Sequence, residues 1–154
     1  MKNGKVLFCA SAGGHYTELL QLQPLIEKYN GVVVTERTKV SENSKIPTKY
    51  VPYSSRNEGF TYLFKFLYVC VLSVLYFIQY RPQAIISTGV HSTLPLCAIG
   101  WLFRRKIIYI ETVAVIDEPT RTGKVMYRLA STFYIQWEDL LKVYPDAIYG
   151  GVLF

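Results

Sequence analysis

A histidine follows two glycines at the point where the first strand-like run of the sequence stops. Val6–Ala10 is a short apolar run, Ser11–His15 (SAGGH) interrupts it, and a helical pattern of leucines follows at once. This order predicts a strand, a tight loop and a helix. The glycines let backbone N–H groups converge at the positive end of a helix dipole, which suits a phosphate or a sugar hydroxyl. The loop is neither a dinucleotide-binding GxGxxG nor a Walker A sequence, and a plain tight turn explains Gly13 and Gly14 equally well.

His15 has the chemistry of a general base. An imidazole at the mouth of a strand-to-helix turn can take a proton from an acceptor hydroxyl near neutral pH. The alternative is that His15 only hydrogen-bonds the loop as a residue of the first helical turn. His91 follows a later strand-like run, but the flanking pairs Thr88, Gly89 and Ser92, Thr93 are typical of a helix cap. We therefore expect His91 to have a structural or acceptor-positioning role.

A carboxylate ends another apolar run, because Glu111 comes directly after Ile107–Ile110. A carboxylate there could bind a sugar hydroxyl, or assist proton removal if burial raises its pKa. An N-cap role, or an ion pair with Arg121 or Lys124, explains Glu111 equally well. The two histidines and the scattered carboxylates lack the spacing of metal ligands, so no metal site is expected.

These residues follow strands that alternate with helices. The apolar runs predict strands at 6–10, 31–35, 49–53, 84–87, 107–110, 132–135 and 147–149. Helices are predicted directly after the first strand and at 60–80, 91–103, 123–130 and 138–143, and the polar stretch 36–48 is predicted as a loop. Continuous apolar strands between helices are typical of a parallel sheet covered on both faces. We predict one Rossmann-like α/β domain over residues 1–154, with ligands beyond the carboxyl ends of the strands.

The composition indicates surface that contacts lipid or another chain. Hydrophobic residues make up 51% of the chain and charged residues only 18%, below the roughly 25% of ordinary soluble domains. The net charge of +6 suits an anionic membrane or a phosphorylated substrate, and nucleic acid is not expected because no nucleic-acid-binding motif accompanies the charge. Three separated cysteines in apolar runs indicate reduced thiols in the cytoplasm. The run Val6–Ala10 is too short for a secretion signal, so no export is expected.

The apolar segment Phe60–Tyr80 is the most unusual stretch of the sequence. Residues 66–80 carry no charge and span about 22 Å as a helix, short of the roughly 30 Å hydrocarbon core of a bilayer. We expect this segment to lie in the membrane interface, with packing on another protein chain or a spanning helix as the alternatives. The predicted lipid-facing side comprises Tyr62, Phe66, Val69, Ser73 and Tyr76, and the predicted headgroup contacts are Lys65, Arg81, Arg104, Arg105 and Lys106.

The order of the motifs resembles a known family. The SAGGH loop, Ile86–Gly89 (ISTG), Ile110–Ala114 (IETVA), Tyr134–Glu138 (YIQWE) and Leu141–Pro145 (LKVYP) look like bacterial capsular and exopolysaccharide biosynthesis proteins of the PssD/CpsF type. Those proteins are similar to the membrane-anchoring subunit of the eukaryotic two-component N-acetylglucosaminyltransferase that adds the second sugar to dolichol-linked oligosaccharide. The resemblance runs along nearly the whole chain.

The resemblance implies the N-terminal, acceptor-binding half of a GT-B glycosyltransferase, akin to the acceptor domain of the peptidoglycan glycosyltransferase MurG. A second polypeptide would bind the UDP-sugar donor and complete the cleft, so no cofactor of its own is expected for this chain. The Gly-Gly-His loop carries over to the diphosphate-lipid acceptor, with His15 as the base and Glu111 as a second catalytic candidate. The eukaryotic subunit has an N-terminal transmembrane anchor, which is not expected for this chain, so the membrane contact is expected from Phe60–Tyr80.

The resulting expectation is a subunit at the cytoplasmic face of the cell membrane with little or no activity alone. With a catalytic partner it would act on a polyprenyl-diphosphate-linked sugar. The main alternative is a non-catalytic scaffold that recruits and stabilises the transferase, and a free-standing nucleotide-binding enzyme is a third possibility. The predicted acceptor-binding residues are Ser11, Gly13, Gly14, Thr88, Gly89 and His91.

Overall fold

The computed structural model describes residues 5–54 and 59–153. Its strands are β1 (Val6–Ala10), β2 (Val32–Glu36), β3 (Thr48–Val51), β4 (Ala84–Ser87), β5 (Lys106–Ile110), β6 (Thr132–Ile135) and β7 (Ile148–Tyr149). They form one sheet in the order β3-β2-β1-β4-β5-β6-β7, and every neighbouring pair is parallel. The strand order reverses between β1 and β4, and such a switch point is where open α/β sheets bind their ligands.

Helices cover both faces of this sheet. They are α1 (Gly14–Leu20), α2 (Gln23–Lys28), α3 (Lys39–Glu42), α4 (Phe60–Tyr80), α5 (Leu94–Leu102), α6 (Arg121–Leu129) and a 3₁₀ helix at Glu138–Lys142. Alternate residues of each inner strand enter opposite layers of the core. Leu7 and Cys9 of β1 face the layer that contains α4, α5 and α6, while Phe8 faces α1 and α2. The prediction of a Rossmann-like parallel sheet with helices on both faces is confirmed.

Some predicted boundaries are wrong for local reasons. The stretch predicted as a loop contains α3, which depends on a capping box: Thr38 Oγ1 accepts from Ser41 N–H, and Ser41 Oγ accepts from Thr38 N–H. Because polar capping bonds stabilise this short helix, its sequence has no periodic pattern of apolar residues from which the helix could be predicted. Strand β3 ends at Val51 because the next residue, Pro52, has no N–H to donate to a ladder. Helix α5 begins three residues later than predicted, with a proline in its first turn.

Helix α4 packs on the sheet with the face that was predicted to meet lipid, so that assignment is wrong. Val69 is fully buried, Ser73 and Phe77 are buried as well, and Tyr76 Oη donates to Tyr50 O at 2.7 Å. Apolar residues surround the whole helix, so hydrophobicity alone could not identify its inner face. The outward face is instead a continuous apolar surface of Phe60, Leu63, Phe64, Leu67, Tyr68, Val71, Val74, Leu75 and Ile78.

Candidate functional site

Two loops meet at the switch point of the sheet. Ser11–His15 follows β1, and the segment 88–91 follows β4, which is hydrogen-bonded to β1. Thr88 Oγ1 donates to the carbonyl oxygen of His15 at 2.8 Å, and Val90 N–H donates to Ser11 Oγ at 3.4 Å. The structure therefore brings the predicted residues of both loops together at the carboxyl edge.

The glycines of these loops differ in their surroundings. A Cβ atom on Gly89 would lie 2.5 Å from Thr93 Cγ2 and 2.6 Å from the backbone nitrogen of Ser11, so the missing side chain lets the two loops touch. Gly13 and Gly14 are exposed, and a Cβ on either would have no neighbour within 4 Å. Gly13 has φ 79°, which favours glycine. Open backbone above this loop is what a ligand phosphate would require.

Gly89→Ala is expected to lower the free energy of unfolding by about 1–3 kcal/mol, because the added methyl overpacks the contact between the loops. Urea denaturation of the purified chain measures the change. Gly14→Ala is the matched control: it adds the same methyl in open space, where such a change stabilises by about 0.4–1 kcal/mol. Equal stability of Gly89→Ala and the wild type would contradict the close packing of these loops.

His15 is positioned by its backbone, while its ring is only half-buried. The carbonyl oxygen is held by Thr88, and Nδ1 is buried without a hydrogen-bond partner among the described residues. In a histidine the hydrogen bond at one ring nitrogen decides which nitrogen carries the proton. The described residues therefore hold the backbone of His15, while its Nδ1 is covered by protein without a hydrogen-bond partner among them.

His91 links the candidate site to the start of α4. Its Nε2 lies 3.2 Å from Ser54 O and 3.5 Å from Ser54 Oγ, and its ring centroid is 6.0 Å from that of Tyr62. The ring is half-buried. These contacts are those of a residue that joins two segments, and acceptor positioning by His91 stays a prediction.

Two buried carboxylates hold loops at the carboxyl edge: Glu36 holds the loop after β1, and Glu18 holds the loop after β5. Glu36, at the end of β2, accepts from Ala12 N–H at 2.8 Å, while Glu18 of α1 accepts from Thr112 Oγ1 and Val113 N–H, both at 2.8 Å. Hydrogen bonds to charged groups contribute about 1.5–3 kcal/mol each. No role was predicted from the sequence for either Glu36 or Glu18. The signal for Glu18 was an acidic residue among the buried positions of a short amphipathic helix.

Glu111 lies beneath the site, not in it. Its side chain is fully buried, and Oε1 accepts from Thr112 N–H at 3.1 Å and from Tyr109 Oη at 3.4 Å. Burial raises the pKa of Glu111 to about 7; the bonds from Thr112 and Tyr109 oppose that rise, and the nearby charge of Glu18 adds to it. A buried side chain cannot contact an acceptor in this conformation, so its predicted catalytic role stays a prediction without geometric support.

The two other roles considered for Glu111, an N-cap and an ion pair with Arg121 or Lys124, are wrong. Thr120, not Glu111, caps α6, since Thr120 Oγ1 accepts from Gly123 N–H at 2.8 Å. No ion pair joins Glu111 to Arg121 or Lys124, all three of which lie in the part of the chain that the structure describes. The carboxylate instead abuts Gly123, where a Cβ would collide with its Oε2. The Glu111 carboxylate therefore packs against the first turn of α6 at Gly123.

No group of three or more His, Cys, Asp or Glu side chains within residues 5–54 and 59–153 is arranged to hold a metal ion. The site consists of the open backbone at Gly13 and Gly14, the imidazole of His15, and the loop after β4 that packs against them through Gly89. Such an arrangement can hold an anionic or hydroxyl-bearing ligand and move a proton.

Comparison with known proteins identifies the family. A family model described as "Oligosaccharide biosynthesis protein Alg14 like" matches residues 6–153. The chain belongs to this Alg14-like family. The human UDP-N-acetylglucosamine transferase subunit ALG14 is 26% identical over 175 residues, which cover 95% of this chain and 81% of the human protein. The corresponding subunit of Candida albicans is 27% identical over 116 residues, 69% of this chain and 53% of that protein.

Solved structures share the fold of this Alg14-like chain. MurG of Acinetobacter baumannii superposes with a TM-score of 0.69 at 17% identity, over 88% of this chain and 42% of MurG. UDP-N-acetylglucosamine 2-epimerase of Rickettsia bellii gives a TM-score of 0.73 at 10% identity, over 97% of this chain and 45% of the epimerase. The chain thus spans less than half of either protein. Identities this low show the fold alone, because one fold supports several chemistries.

The comparisons confirm the likeness to the eukaryotic transferase subunit and the GT-B-type, Rossmann-like half that it implied. These comparisons concern the family and the fold. The role in capsular or exopolysaccharide synthesis, which the PssD/CpsF resemblance implies, stays a prediction. Within the Alg14-like family, the loops at the carboxyl edge are the part of this chain best placed to meet a substrate.

Proposed function

We propose that this chain is the acceptor-binding, membrane-associating subunit of a two-component glycosyltransferase in capsular or exopolysaccharide synthesis. The reaction would transfer a sugar from a UDP-sugar to a polyprenyl-diphosphate-linked sugar. The observation that carries the proposal is the match of residues 6–153 to the Alg14-like family, combined with a site of open backbone and an imidazole at the switch point of one Rossmann-like sheet.

In the proposed complex, a second chain binds the UDP-sugar donor. The named relatives are subunits of a UDP-N-acetylglucosamine transferase, which supports a catalytic partner that holds the UDP-sugar. This chain would hold the acceptor diphosphate at Gly13 and Gly14, with Ser11, Thr88 and His91 beside it. The acceptor hydroxyl oxygen attacks the anomeric carbon, the bond to UDP breaks with its electron pair on UDP, and His15 takes the hydroxyl proton.

The proposed membrane contact is the outward face of α4. This helix is long and apolar enough to cross a bilayer by length and composition, and only 17% of its apolar stretch is buried. Its inner face, however, packs on the sheet through Val69 and Phe77. Because one side is held by protein and the other is apolar and exposed, we propose that α4 lies in the interface of the membrane. The proposed location is the cytoplasmic face.

Reconstitution tests the proposal. Sugar transfer from UDP-sugars to a polyprenyl-diphosphate-linked acceptor is measured for the full chain alone, for the partner that co-purifies with it from native membranes, and for the mixture. The mixture is expected to be active and this chain alone to be at background, because one lobe supplies one wall of a two-lobed cleft. Turnover by this chain alone at the rate of the mixture would overturn the proposal.

Two observations favour the scaffold as the second candidate. The Nδ1 atom of His15 has no partner among the described residues, and Glu111 is fully buried. A scaffold needs neither group to contact substrate. Substitution of His15 in the assembled complex separates the two candidates, because a scaffold keeps full activity without the imidazole.

A further inference from the structure

An apolar groove lies between α4 and α5 at the edge of the sheet opposite the candidate site. Both helices end there, immediately before β4 and β5 begin, so the groove lies at the amino edge of the parallel strands. Its volume is about 460 Å³, within the roughly 300–1,000 Å³ of small-molecule sites. Its walls are Val74, Phe77, Ile78, Ile99, Leu102 and Phe103, and two guanidinium groups, Arg81 and Arg105, complete the lining.

The end of this groove is strongly basic. Arg81 follows α4, and Arg104, Arg105 and Lys106 follow α5, all of them exposed. The sequence contains no Asp or Glu from residue 59 to residue 110, so neither helix brings an acid to these cations. Lys5 adds a further positive charge, since its Nζ lies 5.2 Å from the ring of Tyr80 at the end of α4. The groove therefore combines apolar walls with a cationic mouth.

The arginines occupy backbone positions that do not require an arginine side chain. Arg81 has φ 44° and caps α4 with its N–H on Phe77 O, while Arg104 has φ 53° after α5. Positive φ favours glycine, which ends many helices in this way. Arg81→Gly thus removes a guanidinium while leaving the helix cap in a backbone conformation that glycine adopts more readily.

We propose that this groove binds one anionic phospholipid, with an acyl chain along the apolar walls and the phosphate between Arg81 and Arg105. A guanidinium donates paired hydrogen bonds to phosphate, which makes arginine a better phosphate ligand than lysine where the geometry of the contact matters. Val74 and Ile78 belong both to the groove and to the exposed apolar face of α4, so a lipid reaches the groove from the membrane surface. The proposal rests on the membrane association proposed above.

The occupant is a membrane phospholipid, not the acceptor lipid. Helix α4 has 21 residues and therefore a length of about 30 Å, which separates the groove from the carboxyl edge. A polyprenyl diphosphate held at Gly13 and Gly14 cannot also place its phosphates at Arg81. The groove lipid would thus hold the subunit on the membrane while the acceptor site remains open.

Native mass spectrometry of the full chain in detergent tests the groove. Phosphatidylglycerol and phosphatidylcholine with identical acyl chains are added separately. The wild type is expected to form a 1:1 adduct with phosphatidylglycerol about tenfold tighter than with phosphatidylcholine, since two arginines contact the headgroup. Arg81→Gly/Arg105→Gln is expected to lose that preference. Equal binding of the two lipids by the wild type, or binding of glycerol phosphate as tightly as of phosphatidylglycerol, would overturn the proposal.

A matched variant controls for net charge. Lys28→Gln/Lys45→Gln removes two exposed cations that do not line the groove and is expected to keep the tenfold preference. An equal loss in this variant would show general electrostatic attraction and no lipid site. Ile99→Trp fills the groove without changing charge and is expected to abolish the adduct, with circular dichroism to confirm folding; if it misfolds, the paired charge variants still decide.

Vesicle pelleting separates failure of the groove from failure of the proposed function. Wild type and Arg81→Gly/Arg105→Gln are mixed with phosphatidylcholine vesicles with and without phosphatidylglycerol. If the wild type pellets with vesicles but forms no phosphatidylglycerol-selective adduct, the proposed lipid site is wrong and the membrane role of α4 still holds. If the wild type pellets with neither vesicle type, the proposed membrane association itself is wrong.

Discussion

His15→Ala in the assembled two-component enzyme is expected to lower kcat by about 10²–10⁴-fold, the usual contribution of a general base. The ring stands at the carboxyl edge, half-exposed, on a loop whose glycines leave the neighbouring backbone open. The backbone of residue 15 is held by Thr88 through its carbonyl oxygen, which the substitution leaves in place. The loss should therefore appear in kcat, with the KM for the acceptor little changed.

The control for His15 lies on the same helix. Thr17 is exposed, and its hydroxyl makes only a long contact, 3.4 Å, with Gly13 O. Thr17→Ala should leave kcat unchanged, and size-exclusion chromatography should show that both variants still bind the partner. Full activity of His15→Ala in a complex of normal stability would remove the imidazole from the chemistry and favour the scaffold.

Much of the sheet was predictable because its strands are short apolar runs with clear ends. The bounds of β1, β4 and β6 match the prediction: β1 stops at the serine-glycine loop, and β4 and β6 stop at polar side chains. Parallel strands read as continuous apolar segments because both of their faces are buried. The meeting of the loops after β1 and β4 followed from the same rule, since ligand loops gather at the carboxyl edge.

The remaining features depend on contacts that no local pattern encodes. Helix α4 is apolar on all sides, so its length was predictable while its inner face, Val69 and Phe77, was not. Glu18 hydrogen-bonds Thr112, a residue 94 positions away, and an acidic residue in the sequence does not reveal such a partner. Glu111 occupies the predicted position after β5, but only the packing of α6 determines that its carboxylate is covered.

The stability of the wild-type chain is expected to fall as pH rises through the range in which Glu111 titrates. The ordinary pKa of 4.5 applies to the unfolded chain, and burial raises the folded-state pKa to about 7. Between these values the folded protein retains a proton that the unfolded chain releases, so the stabilising contribution is present below about pH 4.5 and lost by about pH 7. The shift corresponds to about 3 kcal/mol.

Glu111→Gln isolates this contribution. The amide oxygen can still accept from Thr112 N–H, and the amide nitrogen takes the place of Oε2 near the Tyr144 hydroxyl, since both atoms lie beside Gly123. Urea denaturation of both chains at pH 4.5 and pH 8 should show the variant gaining about 3 kcal/mol relative to wild type at the higher pH. Comparison of the two chains cancels the titration of all other groups.

The outcome also bears on the role of Glu111 in catalysis. Glu118→Gln removes an exposed carboxylate and should produce no such gain. If Glu111→Gln behaves like Glu118→Gln, the pKa of Glu111 is not raised in the folded chain, and burial does not hold this carboxyl group in its neutral form. If the gain appears, Glu111 is a neutral acid at mildly acidic pH that supports α6, and His15 is the remaining candidate base at the open loop.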